Sequence, residues 1–208
     1  MVRNLGSGGP AYNAQLVNSP TVSTSDAVVG SGAISFTAAS LQYVQIPPFT
    51  TGSRGLTFAL WFKMSASASS AAVFGLGNGS PQDNIYVYLD GSNNDLFLGV
   101  YQGAEYSKTG VLGRNVNDGL WRHVAWTVDA TGNWAVYLNG ALTNYYSTVL
   151  YPSAISRLYN YLGRGTSSSY PYFNGAIDEF YVFQFVATVA QIQELYHLGK
   201  MLYLLVFE

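Results

Sequence analysis

The sequence predicts an all-β fold, an antiparallel two-sheet sandwich with one short C-terminal helix. Three observations carry this. Apolar residues fall in short runs of strand length, broken by Gly, Asn, Asp and Pro at turn positions. Hydrophobic residues make up 49% of the chain and charged residues only 10%, a balance that suits half-buried strands rather than solvated helices. The 17 Tyr, 11 Phe and 4 Trp favour the same pleated surfaces. With 208 residues, no internal linker and no repeat of fixed period, the whole chain, 1–208, reads as one domain around one core.

The first strands fall at residues 33–36 and 41–46, the latter stopped by Pro47-Pro48. Residues 56–64 put Leu56, Phe58, Leu60 and Phe62 on one side and Trp61 on the other, the pattern of an inner strand covered on both faces. Residues 73–76, 85–89 and 96–101 follow. The last two flank Asp90-Gly91-Ser92-Asn93-Asn94, whose Gly and Asn tolerate positive φ and so predict a hairpin. Residues 121–128, 133–138 and 141–146 form a meander, joined through Asp129-Ala130-Thr131-Gly132 and then by Asn139-Gly140, the strongest short hairpin signal in the chain. Strands at 158–162 and 176–183, separated by the polar residues 163–172, close the β portion. Thr188 caps one helix with Ile192, Leu195 and Tyr196 on its apolar side and Gly199 as its stop. The apolar run 201–207 falls far short of the ~20 residues that span a bilayer and reads as a packed terminal strand. Trp61, Trp121 and Trp126 are expected mainly in the core, with Trp134 unassigned.

Composition excludes several classes of function. A net charge of −2 with nine scattered basic residues leaves no basic stripe for nucleic acid and no polybasic patch for an anionic membrane. The absence of cysteine rules out disulfides and thiolate metal sites. Met1-Val2-Arg3-Asn4, followed by Gly and Ser, has no apolar stretch resembling a signal peptide or anchor. Asn78-Gly79-Ser80 fits the N-glycosylation pattern, which three residues meet by chance. Residues 110–114 carry glycines and a base but lack the lysine and spacing of a phosphate loop.

Several phrases occur in a recognisable order. They are Tyr12-Asn13-Ala14-Gln15-Leu16-Val17-Asn18-Ser19-Pro20, Gly32-Ala33-Ile34-Ser35-Phe36 with Tyr43-Val44-Gln45-Ile46-Pro47, and Leu56-Thr57-Phe58-Ala59-Leu60-Trp61-Phe62-Lys63. Asp118-Gly119-Leu120-Trp121-Arg122-His123-Val124-Ala125 then leads into Val136-Tyr137-Leu138-Asn139-Gly140, and Phe173-Asn174-Gly175-Ala176-Ile177-Asp178-Glu179-Phe180 precedes the helix. Over about residues 12–196 this order resembles the laminin-G-like jelly roll of the concanavalin A-like lectin/glucanase superfamily. The resemblance implies a jelly-roll sandwich without fixing a ligand, since one fold hosts many functions. It also implies a structural calcium, held by an Asp-rich N-terminal loop and a carboxylate of the final strand. Here Arg3-Asn4-Leu5-Gly6-Ser7-Gly8 stands in place of that loop, and an arginine opposes a hard cation. Two readings of Asp178 follow: a calcium ligand, with backbone carbonyls around residues 4–8, or a carboxylate that accepts backbone or tyrosine hydrogen bonds, which the altered loop favours. His123 reads as a hydrogen-bonded structural histidine and His197 as a favourable residue near the helix end.

The leading function is a non-enzymatic, lectin-like carbohydrate-binding or adhesion module with a glycan or glycoprotein as partner. Tyrosines outside the strand runs, Tyr106, Tyr145, Tyr146, Tyr151, Tyr170 and Tyr172, offer rings for stacking on sugars, and Asp83 and Asn84 offer partners for sugar hydroxyls. The plain reading of each is loop anchoring or turn chemistry. An extracellular or particle-surface location is expected of such a module. The alternative is a structural or assembly component of a surface, particle or matrix that binds protein subunits through its edges. A glycoside hydrolase, the third reading, needs two carboxyl groups across the scissile bond. Apart from terminal Glu208 the glutamates are Glu105, Glu179 and Glu194, which form no closely spaced pair around an Asp.

Overall fold

The computed structural model describes residues 1–3, 5–65, 70–79, 83–111, 115–167 and 169–204. Asn4 of the N-terminal loop, Ser80 of the glycosylation-type triplet, residues 112–114 of the glycine-containing loop and residues 205–207 of the terminal apolar run lie outside the described residues. Two antiparallel seven-stranded sheets face each other. The front sheet runs Gln15–Val17, Tyr43–Ile46, Tyr159–Leu162, Ala71–Gly77, Ile85–Asp90, Asp95–Gln102, Glu105–Val111. The back sheet runs Ala141–Tyr146, Trp134–Leu138, Arg122–Val128, Leu56–Met64, Gly175–Phe183, Ala33–Phe36, Thr21–Ser23. A short ribbon, Phe49–Thr50 with Ser156–Arg157, stands apart from both.

The core lies between the sheets and follows from period-two alternation. Leu56, Phe58, Leu60, Phe62 and Met64 belong to one buried cluster with Ile85, Val87, Leu89, Leu96, Leu98 and Val100 of the front sheet. Phe58 bridges the layers, its ring 5.4 Å from Trp126 and 5.8 Å from Phe74. Trp134 is fully buried, edge-on to Trp126, and its indole N–H donates to the Leu150 carbonyl at 2.8 Å. Trp121, expected in the core, is only half-buried: it precedes its strand, and its indole N–H reaches Asp26 at 3.2 Å.

Leu56–Met64 is hydrogen-bonded on both sides and buried on both faces. Its outward residues, Ala59 and Trp61, meet the C-terminal helix Val189–Leu204. The small Ala59 and Ala125 cluster with Ile192, against which Leu195 packs, and Tyr196 stacks on Trp61 at 5.4 Å. Thr188 and Gln191 cap the start reciprocally: the Gln191 N–H donates to Thr188 Oγ1 at 3.3 Å and the Thr188 N–H to Gln191 Oε1 at 2.9 Å. The helix runs through Gly199, which therefore does not stop it, so residues 201–204 are helical rather than a strand and His197 is an exposed mid-helix residue. An interior glycine costs about 1 kcal/mol relative to alanine, which a capped and docked helix tolerates. His123 lies beneath the helix, its ring 5.3 Å from Trp61 and 6.0 Å from Tyr196. Its buried Nδ1 has no hydrogen-bond partner, contrary to the expectation of a bonded ring, and burial pushes its pKa down to about 4.

In the strand Gly175–Phe183 an extra residue intervenes between Asp178, opposite Trp61, and Tyr181, opposite Ala59. This bulge places Glu179 at φ 50°. It also aims the buried Asp178 carboxylate at backbone: Oδ2 accepts the N–H groups of Val28 at 2.9 Å and Val29 at 3.1 Å, and Oδ1 that of Glu179 at 2.9 Å. N–H donors on the carboxylate are the opposite of the oxygen-rich cage calcium requires, and among the described residues no three His, Asp or Glu converge as metal ligands would. These partners fit the second reading of Asp178.

Two stability measurements follow. Asp178→Ala leaves the Val28 and Val29 N–H groups without their charged acceptor and is expected to cost roughly 2–4 kcal/mol in urea unfolding, with the wild-type midpoint the same in calcium and in chelator. A midpoint raised by calcium in wild type, but not in the variant, would return Asp178 to the metal. For His123, the unfolded ring with its pKa near 6.5 binds a proton before the buried one at about 4 does. Its contribution is therefore complete above about pH 6.5 and falls away as pH drops toward 4, by up to about 3 kcal/mol. The difference between wild type and His123→Phe across this range should show that slope; parallel curves would refute it.

Candidate functional site

The outer face of the front sheet is where polar chemistry collects. In Ile85–Asp90 the residues alternate: Ile85, Val87 and Leu89 enter the core, which leaves Tyr86 and Tyr88 outside. Leu96, Leu98 and Val100 likewise leave Phe97, Gly99 and Tyr101 outside. Cross-strand register sets Tyr86 beside Gly99 and Gly99 beside Lys108, and pairs Tyr88 with Phe97 and Tyr101 with Tyr106. The rings interlock. Tyr101 stacks on Tyr106 at 4.4 Å, Tyr86 lies 6.3 Å from Tyr106 and 5.9 Å from Tyr170, and the Tyr86 hydroxyl donates to that of Tyr106. Lys108 Nζ caps the edge, 4.1 Å above the Phe97 ring and 2.9 Å from the Tyr88 hydroxyl.

Glycines make room for this arrangement. A Cβ at Gly99 would stand 2.2 Å from Tyr86 Cζ, and one at Gly75 would stand 2.9 Å from the Thr166 nitrogen. The loop backbone at Gly165 and Thr166 therefore lies directly against the sheet over Gly75. Between loop and rings is an open hollow of about 140 Å³, lined by Asn84, Tyr86, Tyr101, Thr166, Ser167, Ser169 and Tyr170. Asn84 is buried, and its Oδ1, seated over Gly77, accepts no hydrogen bond. Burial raises the Tyr86 hydroxyl far above its ordinary value, with the bond to Tyr106 adding to it, and pushes Tyr170 up to about 12. Burial also raises Tyr106. The hollow thus presents neutral hydroxyls, amide and aromatic faces, and no carboxylate belongs to its described lining.

Of the residues singled out from sequence, Asn84 and Tyr170 line the hollow and Tyr106 stacks at its rim. Asp83 lies beside it but works structurally: Oδ1 accepts the Ser153 hydroxyl at 2.6 Å and the Gly103 N–H at 3.2 Å. Its charge also opposes the desolvation that holds the buried Arg157 down at about 10. Tyr151 anchors a loop, accepting from the Gly55 N–H at 3.1 Å and donating to the Gly52 carbonyl at 2.7 Å. Tyr145 and Tyr146 belong to the edge of the back sheet; Tyr145 is 61% exposed, whereas Tyr146 packs against the core. Tyr172 joins Tyr43 on the other flank of the 163–172 loop. Sequence reading passed over Tyr86, Tyr88 and Tyr101, which sit inside strand runs, and Thr166, Ser167 and Ser169. The signal for Tyr86 and Tyr88 is the Ile85-Tyr86-Val87-Tyr88-Leu89 alternation, which puts both on the face opposite the aliphatic residues, and for Tyr101 it is the alternation of Leu96, Leu98 and Val100 before it.

The family model described as the concanavalin A-like lectin/glucanases superfamily, of laminin G type, matches residues 38–193. Among solved structures, the chain is similar to domain 4 of AbnA, a GH43 extracellular arabinanase from Geobacillus stearothermophilus, in complex with arabinotriose. The TM-score is 0.71 at 20% identity, covering 91% of this chain and 90% of that one. It is also similar to the binding domain of Paraclostridial Mosquitocidal Protein 1 (TM-score 0.70, 11% identity, 93% and 48% covered). A third is the binding domain of botulinum neurotoxin serotype G (TM-score 0.68, 14% identity, 89% and 46% covered). The chain spans about half the length of those two toxin domains. No curated protein sequence matches it. At these identities the structures speak for the fold alone, and with the family match over residues 38–193 the chain belongs to the concanavalin A-like lectin/glucanases superfamily, within its laminin G-type branch.

Proposed function

We propose that the protein is a non-enzymatic glycan-binding module that holds sugar on the tyrosine face of the front sheet. One observation carries the reading: the hollow sets the half-buried rings of Tyr101 and Tyr170 beside Asn84 and the hydroxyl-bearing residues Thr166, Ser167 and Ser169. A pyranose or furanose ring has an apolar face to lay on tyrosine and a rim of hydroxyls to donate to a waiting acceptor, which is the chemistry these groups offer. Glycoside hydrolysis needs a pair of carboxyl groups, and the described lining is tyrosine, serine, threonine and asparagine. The similarity to an arabinanase domain solved with arabinotriose supports carbohydrate as the ligand class. A role in adhesion and a place outside the cell or on a particle surface follow from this reading.

The assembly alternative rests on a different surface. Tyr181, Phe183 and Phe185 form a ladder of rings at 5.5 and 5.2 Å beside the exposed Val186 and Val189, an apolar strip suited to a protein neighbour.

A glycan array followed by retention on the best immobilised hit tests the first reading. Tyr101→Ala with Tyr170→Ala is expected to weaken retention at least tenfold, a loss of about 1.4 kcal/mol, while Tyr145→Ala on the other sheet leaves it unchanged. The reverse pattern would move the site to the back sheet. A blank array together with a stable oligomer by light scattering, dispersed by Phe185→Ser, would put the assembly reading first.

A further inference from the structure

The loop 163–172 presents a second surface on its other flank, and its chemistry differs from that of the hollow. There the Arg164 guanidinium carbon lies 4.7 Å from the Tyr161 ring centre, 5.0 Å from Tyr43 and 5.8 Å from Tyr172. Tyr43 and Tyr161 meet edge-on at 5.4 Å, so the rings form the walls of a cradle rather than one flat stack. Arg164 is half-buried, yet the ion pairs found among the described residues, Lys63 with Asp26 and Arg122 with Asp118, do not involve it. A guanidinium is charged at every accessible pH and carries five N–H donors in a planar fork. The ring faces offset part of its desolvation and occupy its π-faces. They leave the fork, which matches a carboxylate in two parallel hydrogen bonds.

The placement of this cradle relative to the hollow is set by strand register. Tyr161 is opposite Gly75, and Gly75 is opposite Tyr86. Two strand spacings, about 10 Å, therefore separate the arginine's ring support from the floor of the hollow, the reach of a short oligosaccharide. Between them the loop backbone at Gly165 and Thr166 lies over Gly75, so the loop that supplies Arg164 to one flank and Tyr170 to the other is also the ridge a ligand joining the two must cross. The chain as a whole carries a net charge of −2, so attraction of an anion here is local to this cradle.

We propose that the front face takes a carboxylate-bearing oligosaccharide, with one sugar ring on the tyrosines of the hollow and the carboxylate of an acidic sugar bound bidentate by Arg164. This rests on the glycan-binding reading and adds the class of glycan. The fork orients the acid and fixes which end of the oligosaccharide lies on which flank of the loop, while the hollow supplies ring stacking that a neutral sugar shares.

The test compares matched probes at physiological salt: 3′-sialyllactose against lactose, and oligogalacturonate against its methyl-esterified form, with a sulfated lactose as a third arm. At least one acidic probe is expected to bind ten times more tightly than its neutral counterpart. Arg164→Gln should bring acid and neutral forms to parity while retaining binding of the neutral one, and Arg164→Lys, which keeps the charge but loses the fork, should also lose most of the preference. Unchanged melting temperatures exclude unfolding, and a variant that melts early is replaced by Tyr43→Phe/Tyr172→Leu, which removes part of the cradle and should lower the same preference. Neutral probes bound as tightly as acidic ones, or a preference that survives Arg164→Gln, would overturn the arginine's role and leave the tyrosine site standing. Sulfated lactose preferred over every carboxylate would overturn the choice of acid, and no binding of any probe or array glycan would overturn both proposals.

Discussion

A Cβ at Gly75 would stand 2.9 Å from the Thr166 nitrogen, one at Gly77 1.8 Å from Asn84 Oδ1, and one at Gly99 2.2 Å from the Tyr86 ring. All three positions lie on the outer face of the front sheet, and each missing side chain is space taken by another part of the chain: loop backbone at Gly165 and Thr166, an amide oxygen and a tyrosine ring. Glycine inside a strand weakens it by roughly 0.5–1 kcal/mol relative to alanine. The sheet bears three such costs side by side, and the compensation lies beneath, where Leu76, Ile85, Leu89, Leu96 and Leu98 are completely buried. Burying each such side chain contributes roughly 1.5–3 kcal/mol, so the inner face outweighs the losses incurred by opening the outer one.

The back sheet solves the opposite problem with the same device one step larger. Its outer face carries alanine at positions 59 and 125, and their small side chains let Ile192 and Leu195 of the helix settle onto the sheet. A helix there removes the face from solvent, which is why Leu56–Met64 is apolar on both sides. The front face has only a loop lying across it, and residues on either side of that loop stay accessible. One sheet is closed and one is open, and the difference traces to alanine with a helix on one side and glycine with a loop on the other.

Those contrasts explain what could be read from the chain alone. The strands Ala33–Phe36, Leu56–Met64 and Ala141–Tyr146 occur with the expected bounds, because apolar periodicity and the Asn139-Gly140 turn, at φ 51° and 77°, fix them locally. Glu105–Val111 was invisible: it is an edge strand held by backbone pairing to Asp95–Gln102, and Glu-Tyr-Ser-Lys-Thr-Gly-Val carries no aliphatic alternation. The helix outran its glycine because docking and capping, which the local sequence does not display, outweigh propensity. Within the site, Tyr106, Tyr170 and Asn84 were legible as polar or aromatic residues near turns. Tyr145, Tyr151 and Tyr172 look the same in sequence and lie elsewhere, since separation along the chain does not say which sheet a loop belongs to. Tyr86, Tyr88 and Tyr101 were hidden by the habit of reading an aromatic inside a strand as core, when register alone assigns it to a face.

The hollow itself, at about 140 Å³, is smaller than the roughly 300–1,000 Å³ clefts that engulf small ligands. A sugar held there, as proposed, would keep much of its surface in water, and stacking on tyrosine would not by itself produce tight binding. Nor can the hollow draw on charge from its own walls, since its described lining is asparagine, tyrosine, threonine and serine. Selectivity on such a face would have to come from contacts beyond the first ring, and the front sheet offers them on the other flank of the loop that lies over Gly75, at Tyr161 and Arg164. Under the proposed reading a neutral sugar draws on the hollow alone, whereas an acidic one long enough to cross the loop also reaches the cationic cradle of Arg164.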